Sequence, residues 1–184
     1  WPYRYDLDEA KRLLAEAGYG DGFSFRLALE SGNPITEELA ILLKDSFSQI
    51  GVDMTIDKQS SAVFAERTDK REHEAWLRSI LWYVDDPGYI GQTFYKCGAL
   101  LNWMDYCNRK VDRLVEQMVS LPIDDTAAKA PLAKEMQELI TRDAPTLILA
   151  EPNLLLPMRE DITGYVHLPD NLLWYFPLKR EAAD

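Results

Sequence analysis

Histidine and cysteine are scarce in this 184-residue chain, and long apolar runs are missing. Each shortage excludes a class of function. The apolar run from Thr146 ends at Glu151, far short of the ~20 residues that span a bilayer as a helix. Two histidines, His73 and His167, stand far apart and lack the spacing that would join Cys97 and Cys107 in a zinc site. No H-E-x-x-H motif occurs, and no serine lies in G-x-S-x-G. Glycines Gly18, Gly20 and Gly22 in "GYGDG" precede a strand pattern where a phosphate loop would follow one. Basic residues are outnumbered, 20 against 31 acids, for a net charge of −11. No Lys/Arg cluster relieves that charge, which argues against nucleic acid as a partner. Neither a metal nor a cofactor is signalled. The chain begins at Trp1 and reads as a processed or excised piece, so a missing leader says nothing of compartment.

What is present is an α/β pattern. "YDLDEAKRLLAEAGYG" predicts a helix capped by Asp6, with Glu9 three residues on, an apolar stripe of Ala10, Leu13, Leu14 and Ala17, and Gly18 as its stop. "FSFRLALE" alternates as a half-buried strand. A helix over about 36–50 follows, carrying Leu39, Leu42, Leu43, Phe47 and Ile50, and "VDMTID" alternates again. Strand, helix, strand with short joints predicts a parallel pair with a right-handed crossover. A short helix is expected over about 61–68, with Val63 and Phe64 as its contacts, then a third strand in "AWLRSILWYV". Pro87 opens a short helix through about Phe94. Asn108 caps a helix carrying Val111, Leu114, Val115 and Met118. Asp124 or Asp125 caps a longer one to Asp143, with Leu132, Met136, Leu139 and Ile140 inward. "PTLILAEPNLLLP" predicts one or two strands, and "LLWYFPL" a short terminal one.

Two features carry chemistry. Cys97 and Cys107 are either two unrelated buried thiols or a disulfide closing a short loop. In "WYVDDP", an apolar strand ends in Asp85, Asp86 and Pro87. Adjacent residues on extended backbone point to opposite faces, which disfavours an Asp85–Asp86 acid–base dyad. Too few further oxygen ligands are signalled for a metal. Asp86, just before Pro87, suits an N-cap. Asp85 is then left at a strand's carboxyl end, where α/β folds bind ligands, with Trp82 and Tyr83 as a pocket wall or as core.

The ordered set "YDLDEAKRLLAEAGYGDGFSFRL", "LKDSFSQIGVDMTID", "WYVDDP", "NWMDYCNRKVDRLV" and "RDAPTLILAEPNLLLPMREDITGYV" resembles the C-terminal part of peptide/nickel-type (family 5) solute-binding proteins of ABC transporters. The resemblance runs from about Tyr5 to Val166. It implies one lobe of a two-lobed, type II binding-protein fold, a mixed sheet flanked by helices. Residues 1–150 would form the second lobe, and 151–184 would return toward a first lobe that lies outside this chain. It implies no enzyme activity, but capture of a peptide or similar small solute and delivery to a membrane permease. The location it implies is periplasmic, or lipid-anchored at the surface of a single-membrane cell. By resemblance Asp85 would pair with a peptide α-amino group, although the Trp82–Pro87 spacing is shorter than in the peptide binders and Tyr83 replaces a small residue. The resemblance also implies a Cys97–Cys107 disulfide, and it brings Asn102 and Tyr106 of "NWMDYC" close to the cleft. The competing readings are a sensory or chaperone-like binding protein without a permease, and a hydrolase using Asp85, Asp86 or Asp105.

Overall fold

The computed structural model describes residues 3–80, 84–151, 155–168 and 174–181, so Trp82 and Tyr83 lie outside the described residues. The chain divides into two compact units, Trp1–Ile80 and Leu81–Asp184.

In the first unit, helix α1 (Leu7–Glu16) starts where Asp6 accepts the Glu9 N–H at 2.9 Å. The Glu9 carboxylate turns to Arg12 instead of back to the cap. Gly18, at φ +85°, ends the helix. There Tyr19 N–H bonds Leu14 O and Gly18 N–H bonds Ala15 O, the two bonds of a Schellman motif. The apolar stripe is present but does not reach a core: none of α1 is buried among the described residues, and Leu13 is exposed.

Strand β1 (Phe23–Glu30), helix α2 (Pro34–Ser48) and strand β2 (Val52–Gln59) form the expected parallel crossover, in register from Phe23↔Val52 to Glu30↔Gln59. Gly22 and Gly51 each precede one of these strands. A Cβ on Gly22 would collide with Gly51 O at 1.8 Å, so the two strand entries can lie side by side only with glycine there. Helix α3 (Ser61–Asp69) leads to β3 (Ala75–Leu77), parallel to β1 on its other side, giving the order β2-β1-β3. Leu27, Leu29, Ala40 and Met54 form the core, with Phe25, Leu43, Phe47 and Ile56 packed against it.

Four local expectations are corrected. Helix α2 starts two residues early, because Asn33 caps it and Pro34 suits its first turn. Leu42 is 64% exposed while small Ala40 takes the buried position against the sheet. On α3, Phe64 is buried and Val63 exposed. The third strand is also shorter than "AWLRSILWYV" suggested: it stops at Leu77, and 78–80 carry no ladder.

The second unit is mostly helical. Helix α4 (Pro87–Ile90) runs into a π-helical turn, Gly91–Tyr95. After a loop come α5 (Arg109–Ser120), capped by Asn108, and α6 (Thr126–Asp143), capped by Asp125. Val111, Leu114, Val115 and Met118 of α5 are all buried, and Met136 and Leu139 of α6 with them. Residues 145–151 and 155–157 form no strand, contrary to expectation. Their alternation is apolar, but a strand needs a ladder partner, and none of the described residues supplies one. Of the expected terminal strand, 174–178 is not extended in a sheet. A two-residue strand β5 (Lys179–Arg180) instead pairs antiparallel with β4 (Ile162–Thr163).

Candidate functional site

Asp85 and Asp86 have opposite fates. Asp86 is the N-cap of α4 on extended backbone, φ −139° and ψ 124°. Its Oδ1 accepts the Tyr89 N–H at 2.8 Å. Its Oδ2 accepts from Lys129 Nζ of α6 at 2.5 Å, and Lys129 also donates to Ile123 O at 3.3 Å. Both partners are buried, Asp86 to 7% and Lys129 to 3% exposure. Burial, the largest influence, pushes the Asp86 carboxyl up. The Lys129 hydrogen bond and the Tyr89 N–H outweigh it and hold the group below the usual carboxylate range. Asp85 is exposed and takes no hydrogen bond or ion pair among the described residues. A carboxylate in that state is open to a partner from outside. The capping reading of Asp86 therefore holds, and the pair is not a dyad.

Lys129 escaped the sequence reading. It sits at a position where helical periodicity marks only a face, and its partner is 43 residues away. The one signal was indirect: a lysine in the first turn of a helix opposes the helix dipole.

The loop between the π-helical turn and α5 is closed by the Cys97–Cys107 disulfide, Cα–Cα 4.5 Å. Asn102 is 2% exposed and organises the loop from inside. Its Nδ2 donates to Lys96 O (3.1 Å) and Tyr106 O (2.6 Å), and its Oδ1 accepts the Tyr106 N–H at 3.1 Å. An amide engaged through both its nitrogen and its oxygen shapes the loop. Buried Asp112 joins the loop to α5 by accepting the Cys97 N–H at 2.9 Å. Tyr106 is half-buried, and its hydroxyl donates to Asp143 Oδ2 at 2.8 Å. Burial first, then the neighbouring Asp143 carboxylate, push this phenol up to about 12. Asp143 is held below the usual carboxylate range by hydrogen bonds from Asn108 and Tyr106. Asp85, Asn102 and Tyr106 thus share one unit, but Asn102 and Tyr106 are committed to the loop and Asp85 is not.

Sequence reasoning also missed a hollow of about 220 Å³ in the first unit, lined by Glu30, Ser31, Gly32, Asn33, Leu77 and Arg78 among others. It lies at the carboxyl ends of β1 and β3, beside the start of α2. His73 stacks on Phe64, and His167 meets the Tyr165 hydroxyl at 3.3 Å; neither faces a carboxylate or nucleophile in these contacts. Among the described residues no cluster of His, Cys, Asp or Glu suits a metal.

Residues 1–102 match the family model described as bacterial extracellular solute-binding proteins, family 5 Middle. The dipeptide-binding protein of Escherichia coli is 27% identical over 171 residues, 89% of this chain and 32% of that protein. The glutathione-binding protein GsiB of Salmonella typhimurium is 27% identical over 180 residues, 92% of this chain and 34% of that protein. Among solved structures, the periplasmic binding protein DppA of Helicobacter pylori, in complex with peptide STSA, superposes with a TM-score of 0.84. It is 27% identical and the match covers 99% of this chain and 36% of that one. The chain spans about a third of the length of the relatives it matches.

Proposed function

The chain belongs to the bacterial extracellular solute-binding proteins, family 5, and on that premise we propose that it is one lobe of the extracytoplasmic receptor of an ABC importer. In this reading residues 1–150 form most of the second lobe, and residues 151–184 return to a first lobe outside this chain. The two lobes close on a peptide or similar small solute and hand it to a membrane permease. The observation that carries the reading is the family match over residues 1–102, joined to an exposed, unengaged Asp85 that directly precedes the cap of α4. Relatives named for dipeptide, glutathione and peptide STSA support a solute with a free α-amino group. Asp85 is the natural partner for that ammonium, through a charge-assisted hydrogen bond worth roughly 1.5–3 kcal/mol. Trp82 and Tyr83 would wall the same end of the site. Asn102 and Tyr106 act at one remove, through the shape of the disulfide loop. The disulfide suits the oxidising space outside the cytoplasm.

Native mass spectrometry of the complete two-lobed protein tests this directly. The expected result is a small solute that co-purifies with the wild type and is lost or weakened in Asp85→Ala. A solute retained unchanged in the variant would remove Asp85 from the site and leave it only the exposed residue before the Asp86 cap of α4.

A further inference from the structure

The direction in which Asp85 points is decided by its neighbour. On extended backbone successive side chains leave on opposite sides, so Asp86 turned inward means Asp85 turned outward. Asp86 is turned inward by two bonds, one to each carboxylate oxygen. The Tyr89 N–H is local to α4, whereas Lys129 comes from another helix. Lys129 is costly where it stands. It is almost fully buried, and it lies in the first turn of α6, where the helix dipole disfavours a cation. Only a specific partner offsets both terms. The segment after Asp86 is also tightly seated. A Cβ on Gly88 would stand 3.0 Å from Asp86 Oδ1 and 3.2 Å from Met118 Cβ. A Cβ on Gly91 would stand 2.5 Å from Val115 Cγ2 and 2.8 Å from Met136 Sδ. The chain from Asp86 to Gly91 thus lies against α5 and α6, with Lys129 as its ionic pin.

We propose that Lys129 is a positioning residue for the solute's α-amino group: by holding Asp86 inward it aims Asp85 outward and balances the second carboxylate. The proposal rests on the reading of Asp85 given above. Its consequence is electrostatic as well as geometric. Two adjacent carboxylates would offer an ammonium two formal charges and several poses. With Asp86 paired to Lys129, Asp85 offers one charge in one direction.

The test compares dialanine with N-acetyl-dialanine, by calorimetry on the complete two-lobed protein. The wild type is expected to prefer the free amine by roughly tenfold or more, the scale of one charge-assisted hydrogen bond. Lys129→Met, which frees the second carboxylate and the pose of the first, should shift that ratio severalfold while N-acetyl-dialanine binds as before, and Lys129→Arg should restore it. Leu139→Ala, which loosens α6 without touching the pair, should weaken the fold and leave the ratio intact. If Lys129→Met does not fold, Lys129→Gln, which keeps a donor without the charge, takes its place. A wild type that prefers the amine beside a lysine variant that prefers it equally would overturn the positioning role and spare Asp85. A wild type indifferent to acetylation would overturn the amine reading itself, and the lysine's role with it.

Discussion

Leu27, Leu29, Ala40 and Met54 hold the first unit from inside its three-stranded sheet, with Phe25, Phe47 and Ile56 around them. The second unit has an apolar seam too, between α5 and α6, but its non-helical parts are tied down by polar and covalent links. Asp86 meets Lys129 across 43 residues, Tyr106 meets Asp143 across 37, Cys97 N–H meets Asp112 across 15, and Cys97 joins Cys107. Apolar burial is non-directional and tolerates a shifted neighbour. Buried polar links have one geometry and fail when a partner is removed. The unit that carries Asp85 is therefore the one built from directional contacts, which suits a surface that must present one group in one orientation.

The strongest way to break this comparison is Lys129→Met. It strands a buried carboxylate and is expected to cost about 3–5 kcal/mol in urea unfolding. Adding Asp86→Asn should recover most of the loss, since asparagine still caps α4 and no charge is left unpaired. A double variant no more stable than the single would show that packing by the lysine stem matters more than its charge. The pair also has a pH signature. The Asp86 carboxyl lies below its unfolded range, so its contribution is complete above about pH 4 and disappears as the pH falls through the folded value. Urea midpoints across the acid range should fall for the wild type and be flatter for the double variant.

Opening the Cys97–Cys107 link by paired serine substitution is the intermediate case. Closing a loop of this length is worth about 2–3 kcal/mol in the chain-entropy account. Hydrogen exchange should rise over residues 96–108 and stay unchanged over the sheet of the first unit. The smallest effect belongs to Asp6→Ala in the first unit. Loss of that cap is expected to cost about 1 kcal/mol. Because α1 buries none of its residues, exchange should rise in its first turn alone.

How much of this was visible beforehand differs along the same division. Alternation in "FSFRLALE" and "VDMTID", with a helix between, led straight to β1, α2, β2 and their parallel pairing, since period and loop length are local quantities. Caps at Asp6, Asp86, Asn108 and Asp125 were equally legible, because each bonds an N–H two or three residues on. Failures came where a second element decides. Leu42 and Leu13 fit apolar stripes yet stay exposed, and "PTLILAE" has strand composition without a ladder among the described residues.

The candidate site repeats the pattern. From sequence came the two carboxylates, the cap at Asp86, the freedom left to Asp85 and, by family resemblance, the disulfide. Only the tertiary structure decided that Asn102 is an internal brace, that Tyr106 is bound to Asp143, and that Lys129 is the counter-charge of Asp86. The physical reason is range. Backbone period, capping and turn preference are set within about four residues and are written in local order. The partner of a buried polar group is set by which helices meet, and no local pattern records that.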